Sequence, residues 1–174
     1  TEFETLASTT LPEGVTLRLE SRFLPSNLIL MLDSGSLQDS LLNLVLNARD
    51  ACNGDGEISL LVDVVQDTWI EFTVIDTGPG FSEHALSHVF DPFFTTKGDN
   101  GSGLGLAMVY DVAKLSGGRV QARNGATGAE VCLRLPLRLA PAPVAPGLAL
   151  LVEDNALIRT DVREMLISQG HTVI

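Results

Sequence analysis

Apolar and polar residues alternate through Trp69–Asp76, WIEFTVID, with Ile70, Phe72 and Val74 on one side. That period of two predicts a strand with one buried face. Residues 57–65 read as its partner strand, joined to it by a short turn at 66–68. A different period governs residues 36–52, where Leu37, Leu41, Leu44, Val45, Ala48 and Cys52 recur at helical spacing and make one apolar face. Further strands are expected at 16–22 and 28–32, a short helix at 83–89, and a helix at 104–115 that leaves through Ser116-Gly117-Gly118. Residues 119–123 and 130–137 read as a closing hairpin. Helices and a mostly antiparallel sheet in this order predict an α+β two-layer sandwich, the sheet covered by helices on one face.

The pattern changes at RLAPAPVAPG, residues 138–147, where Pro141, Pro143 and Pro146 among alanines predict a semi-rigid, extended spacer. Beyond it, residues 148–152 read as a buried parallel strand, 155–168 as a helix ended by Gly170, and His171 as the start of a second strand. The expected organisation is therefore a domain over 1–137, a Pro/Ala linker over 138–147 and an incomplete βαβ unit over 148–174.

Three segments carry candidate chemistry. Residues 90–109, FDPFFTTKGDNGSGLGLAMV, run from a proline-broken aromatic stretch through a Gly/Asn/Asp-rich loop into an apolar helix. Backbone N–H groups at a helix N-terminus attract anions, and glycines allow close approach, so this segment suits binding and covering a phosphate chain. Asp76 ends its strand immediately before Gly78-Pro79-Gly80, where a carboxylate can accept from an exocyclic amine at a pocket floor. On the helix over 36–52, Asp39, Asn43, Asn47 and Asp50 share a second face, at steps of four, four and three. Asn is a poor helix-interior residue, and its amide oxygen suits a hard cation such as Mg²⁺. Asp39 has a second reading, because Ser36-x-x-Asp39 fits a helix-start capping pattern.

Together these segments resemble the ATP-binding catalytic domain of sensor histidine kinases, within the ATPase superfamily that includes Hsp90, DNA gyrase B and MutL. NLVLNARDA looks like the family's N box, DTGPG its G1 box, FDPFF its F box and GSGLGLA its G2 box, in that order. The resemblance spans roughly residues 15–137, and DPFFTTK with GLGLAMVYDVAKLSGG is most similar to nitrogen-regulator-type and hybrid kinases. It implies ATP and Mg²⁺ as cofactors and a histidine as phosphoryl acceptor. Asn47 would hold the metal, with Asn43 beside it near the phosphates, and Asp50 would belong to the same nucleotide site. Asp76 would bond the adenine amino group, in a pocket shaped by Gly78 and Gly80. Residues 90–103 would form a mobile lid, with Phe90, Thr96, Lys97, Gly101, Ser102, Gly103, Leu104 and Gly105 around the nucleotide. Lys97 is either a phosphate contact or a solvated loop lysine. Asp39 stands where the family has Glu or Gln near the incoming histidine, so Asp39 and Asn43 are the catalytic candidates. Ala129 stands where the family has a Thr near the phosphates. LLVEDNALIR looks like the start of a response-regulator receiver domain, with Glu153 and Asp154 as its acidic pair.

The implied function is ATP-dependent phosphorylation of a histidine in a separate dimerisation domain of a hybrid kinase; the alternative is an ATP-sensing module of the same fold without phosphotransfer. His84, His88 and His171 lack the surroundings of a family phosphoacceptor. The implied partners are that histidine domain and a receiver domain or response regulator. The chain has 22 acidic against 11 basic residues, a net charge of −11, which argues against a nucleic-acid surface. No apolar run reaches the ~20 residues that span a bilayer, and a bacterial cytoplasmic setting without direct membrane contact is expected. Cys52 and Cys132 read as buried, reduced thiols. A first residue other than Met suggests a piece of a longer protein.

Overall fold

The alternation seen in the sequence becomes the centre of a six-stranded sheet. Its elements are helix α1 (Glu2–Thr9), strands β1 (Val15–Ser21) and β2 (Leu28–Leu30), helix α2 (Ser34–Cys52), strands β3 (Gly56–Val65) and β4 (Trp69–Asp76), helices α3 (Glu83–His88) and α4 (Gly105–Leu115), and strands β5 (Arg119–Asn124) and β6 (Ala129–Leu139). A second unit holds β7 (Leu148–Ala149), α5 (Ala156–Ser168) and β8 (Thr172–Val173). The computed structural model describes residues 2–22, 24, 28–30, 32–98, 101–139, 148–152 and 154–174. The linker prolines and Glu153, singled out in the sequence, lie outside the described residues, as do Asp99 and Asn100 of the expected lid.

The sheet runs β1-β3-β4-β6-β2, with β5 paired to β6 as well. Only the β1–β3 pair is parallel; β3–β4, β4–β6, β5–β6 and β2–β6 are antiparallel. Strand β6 is long enough to serve two partners along one edge, β5 against residues 129–134 and β2 against 137–139. The expected strand end at 137 and linker start at 138 therefore move outward, because Arg138 and Leu139 pair with Ile29 and Leu28.

Strand β4 buries Ile70, Phe72, Val74 and Asp76 in strict alternation, and β6 buries Val131, Leu133, Leu135 and Leu137. Helix α2 lays Leu41, Leu44, Val45, Ala48 and Cys52 on that face, and α4 adds Val109 and Ala113. The buried face of β4 thus ends in a carboxylate rather than a methyl group, and that interruption positions the site.

Two local features differ from the sequence reading. Helix α2 starts at Ser34, with Asp33 as its cap; the Asp33 carboxylate accepts from the Ser36 N–H at 2.9 Å. Asp39 therefore sits inside the helix, and the capping pattern at Ser36 is not used. Helix α1 has no counterpart in the sequence reading: its apolar residues Phe3, Leu6 and Ala7 sit at helical spacing but over only eight residues, and Ala7 is fully buried while Phe3 packs on the core.

In the second unit, β7 and β8 pair in parallel on either side of α5 in the chain, which is βαβ order. The Asn155 side chain caps α5 by accepting from the Leu157 and Ile158 N–H groups. The expected buried strand over 148–152 is shorter and more exposed: pairing covers Leu148 and Ala149, while Leu148, Leu150 and Val152 are largely solvent-facing.

Candidate functional site

A cavity of about 430 Å³ opens between α2, the end of β4 and the loop that leads into α4. Asp76 lies at one end of it, only 5% exposed. Its Oδ1 accepts two backbone N–H bonds, from Gly78 at 2.9 Å and Ala129 at 3.1 Å. The Thr127 hydroxyl donates to the Asp76 main-chain carbonyl at 3.2 Å. These bonds fix the carboxylate by one oxygen, and Oδ2 accepts no hydrogen bond from the described residues. A buried carboxylate with one oxygen committed and the other available is a directional acceptor for a donor entering the cavity.

The walls around it are apolar: Val74 and Val131 from the sheet, Ala129, Ala85 and Val89 from flanking segments, and Leu106 and Phe94 from the α4 side. This combination suits a flat, largely apolar group with a polar edge. Gly78 is not among the lining residues. It closes the turn behind the wall, where a Cβ would come 2.8 Å from the Ala51 carbonyl oxygen, so the turn can lie against α2 only as glycine. The turn is clamped from the other side by Asn124, which accepts from the Phe81 N–H at 2.7 Å and donates to the Phe81 carbonyl at 2.9 Å.

Polar groups gather at the opposite end. Asn43, Asn47 and Asp50 line the cavity along α2, and Thr96, Lys97, Gly101, Ser102, Gly103 and Gly105 line it from the loop and the start of α4, while Gly80 lines it from the turn that Asn124 clamps. A methyl group at Gly105 would stand 3.4 Å from both Asn43 Oδ1 and Asn47 Nδ2, so the N-terminus of α4 faces the two asparagines directly. The first α4 bond runs from the Met108 N–H to the Leu104 carbonyl. That leaves the N–H groups of Gly105, Leu106 and Ala107 in the unpaired first turn, the donor set an anionic chain requires.

The loop over 90–103 is held at its stems. Phe90 is not in the cavity; it packs on the core and stacks on Tyr110 with ring centroids 5.8 Å apart. Phe93, at φ 67° and 74% exposed, donates its N–H to the Gly103 carbonyl at 2.9 Å. Gly103 is at φ 65°, and a Cβ there would lie 2.3 Å from the Phe93 carbonyl carbon. A non-glycine residue in the left-handed region, beside a glycine that tolerates no side chain, marks a constrained hinge. Phe94 meets the His84 and His88 rings at 5.8 and 5.7 Å, and His88 Nδ1 is 2.8 Å from Asp91 Oδ2.

Lys97 crosses from this loop to α2. Its ammonium donates to Asp50 Oδ2 at 2.7 Å and to Asn47 Oδ1 at 3.2 Å. Arg49 holds the other Asp50 oxygen through Nε at 2.9 Å and Nη2 at 2.6 Å, while its Nη1 donates to the Thr10 carbonyl at 3.2 Å. Burial pushes the Asp50 carboxyl up, but hydrogen bonds from Lys97 and then Arg49 outweigh it and hold the group below the ordinary carboxylate range. Lys97 is thus exposed but paired, its ammonium bonded to α2.

Asp39 and Leu104 do not line the cavity; Asp39 is exposed on α2 one turn before Asn43. Ala129, expected near phosphates, sits instead at the Asp76 end, where its N–H orients the carboxylate. The clamp by Asn124 and the support from Thr127 escaped the sequence reading: Asn124 repeats no pattern, and Thr127 is passed over beside the singled-out Ala129. Among the described residues there is no cluster of three or more His, Cys, Asp or Glu side chains able to hold a metal, and no helix long and apolar enough to cross a membrane.

Residues 32–139, more than half the chain, match the family model described as histidine kinase-, DNA gyrase B-, and HSP90-like ATPase. The two-component sensor PprA of Pseudomonas aeruginosa is 40% identical over 108 residues, covering 58% of this chain and 12% of that protein. The sensor kinase CckA of Brucella abortus is 33% identical over 176 residues, covering 81% of this chain and 19% of that protein. The chain thus corresponds to less than a fifth of the length of either relative. Among solved structures, the catalytic domain of the histidine kinase ThkA superposes with a TM-score of 0.68 at 26% identity, covering 78% of this chain and 89% of that one. Full-length ShkA in complex with AMPPNP superposes with a TM-score of 0.67 at 27% identity, covering 98% of this chain and 38% of that one. The family match covers α2, the end of β4, the hinged loop and α4, which together build the cavity, and so this chain belongs to the histidine kinase-, DNA gyrase B- and HSP90-like ATPases, with the fold of the histidine-kinase catalytic domain.

Proposed function

We propose that this chain binds Mg·ATP and donates the γ-phosphoryl group to a histidine of a separate dimerisation and phosphoacceptor domain. The observation that carries the reading is the polarity of the cavity: a singly committed buried carboxylate at one end, and two asparagines facing a helix N-terminus at the other. Likeness to ShkA, whose structure holds AMPPNP, supports it. Asp76 Oδ2 accepts from the adenine amino group, and Val74, Val131 and Ala129 exclude water around the base. The N–H groups of Gly105, Leu106 and Ala107 hold the phosphates, and the loop from Phe93 to Gly103 closes over them.

The donor set fits a hard cation at the phosphate end, because Asn47 Oδ1 already accepts from an ammonium ion there. Mg²⁺ held by Asn47, with Asn43 beside it, supplies neutralisation of phosphate charge that a chain of net charge −11 lacks. Positioning and charge compensation are then the protein's main contribution to phosphoryl transfer. Asn43 and Asp39 lie on successive turns of α2 leading away from the cavity, along the approach for an acceptor imidazole. Residues 148–174 are read as the start of a receiver domain, on the strength of the parallel β7–β8 pair around α5; the partner set is the histidine domain and a receiver or response regulator.

The test is phosphoryl transfer in trans. With radiolabelled ATP and Mg²⁺ the chain alone is expected to acquire no acid-labile phosphate, whereas the dimeric histidine domain of its own parent protein is expected to be labelled when added. Label on His84, His88 or His171 of the isolated chain, or none on the added domain, refutes the transfer. ATP binding without transfer is the outcome that favours a sensing module.

A further inference from the structure

We infer that Lys97 is an internal counter-cation that latches the lid to α2 before nucleotide arrives, with Asp50 as its catch; this rests on the proposed reading of the site as a Mg-nucleotide pocket. Three observations carry it. The ammonium bonds Asn47 Oδ1, the amide oxygen that the proposed reading gives to the metal, so Lys97 and a divalent cation compete for one acceptor. Its shorter bond is to Asp50 Oδ2 at 2.7 Å, which makes Asp50 the anchor of the lid on α2. Asp50 stands on the cavity wall with its Oδ1 gripped by two N–H groups of Arg49, itself tied to the Thr10 carbonyl, so Oδ2 is offered to Lys97 from a side chain held in place.

The latch is set by sequence distance as much as by charge. Lys97 lies four residues beyond the Phe93 hinge, and the backbone bond from the Phe93 N–H to the Gly103 carbonyl closes the base of the loop. The Lys97 and Asp50 side chains are 36% and 33% exposed, so the pair is partly screened and worth little enough to be broken by an incoming ligand. When a metal and phosphates enter, Asn47 changes partner and the ammonium is released next to the arriving negative charge. Lid movement and metal entry are thereby coupled through one side chain. Arg49 acts through Asp50 as a positioning residue.

The experiment uses the full chain in its ligand-free state and follows amide hydrogen exchange of the segment around residues 94–98. Lys97→Met and Asp50→Asn are each expected to speed that exchange about two- to fivefold, the range for a partly exposed ion pair. The double variant is expected to exchange no faster than either single one, because both remove the same bond. In a second measurement, calorimetric titration with ADP at stepped Mg²⁺ concentrations, Lys97→Met is expected to lower the Mg²⁺ needed for half-maximal binding by a similar factor. Unchanged lid exchange in Lys97→Met, additive exchange in the double variant, or an unchanged or raised Mg²⁺ requirement overturns the latch. Failure of the wild-type chain to bind ADP at any Mg²⁺ concentration overturns the nucleotide reading instead, and the ligand-free exchange still decides whether the latch exists.

Discussion

Replacing Asp76 with Asn isolates one hydrogen bond to the ligand. In the native domain Oδ1 is occupied by the Gly78 and Ala129 N–H groups, and an amide oxygen can keep both bonds at similar geometry. What changes is the other end, where an acceptor oxygen becomes an NH₂ donor facing the proposed place of the adenine amino group. Loss of a bond to a charged group costs about 1.5–3 kcal/mol, or roughly 10- to 150-fold in the ADP dissociation constant. The domain itself loses only the charge assistance of two backbone bonds, about 0.5–1.5 kcal/mol and roughly 2 to 6 °C in melting temperature. Asp76→Ala would be a poorer probe, since it leaves two buried N–H groups without an acceptor and mixes folding with binding. Guanine sharpens the test, because it presents a carbonyl where adenine carries its amine. Native Asp76 repels that carbonyl, while the amide of the Asp76→Asn variant can donate to it, so the substitution is expected to weaken ADP and strengthen GDP. Calorimetry with both nucleotides in excess Mg²⁺, alongside thermal unfolding, reads both effects. An ADP affinity unchanged by Asp76→Asn, or equal affinity of the native chain for ADP and GDP, refutes the assignment of Asp76 to the base.

Leu104, which caps α4, and Met108 and Leu115 within it are exposed apolar residues, as is Phe93, whose N–H bonds the neighbouring Gly103 carbonyl. If the acceptor domain docks there, Met108→Asp abolishes labelling of the histidine domain in trans with ADP affinity within about twofold of native; undiminished labelling removes these residues from the interface. Burial pushes the Cys132 thiol up, an effect that its Thr73 hydrogen bond only partly offsets. Its folded value lies above the unfolded one, so this thiol's contribution to stability falls as pH climbs above the ordinary thiol range. At pH 8 to 9 iodoacetamide is therefore expected to label Cys132 several times more slowly in the folded chain than in urea, and equal rates contradict the burial argument.

What could be read from sequence was local and periodic. Strand β4 announced itself because every second residue had to be buried, and Asp76 stood out because it broke that rule at the strand end. The asparagines on α2 were legible for a similar reason, since helical spacing put them on one face and helix propensity argued against their being there for structure alone. The capping assignment failed by less than one turn: Asp33 and Ser36 are both good caps, and only the backbone path out of β2 decides which one meets the free amides.

The contacts that escaped were those between segments distant in the chain. Lys97 and Asp50 are 47 residues apart, and Asn124 and Phe81 are 43 apart. A lysine in a glycine-rich loop carries no mark of the acid it will meet. Yet these unmarked bonds link parts that the motifs leave separate. Asp76, Gly78 and Phe81 become one wall because Asn124 at the end of β5, Thr127 in the turn that follows and Ala129 at the start of β6 hold them. In the same way, the loop joins α2 through Lys97 and Asp50, and Arg49 carries that link on to Thr10 just after α1. The motif residues supply groups that can touch a ligand, whereas the unmarked ones set how firmly each group is held. A wall tied by five side chain–backbone bonds and a loop tied to α2 by a half-exposed lysine give, on the proposed reading, a base-binding end held more firmly than the phosphate end.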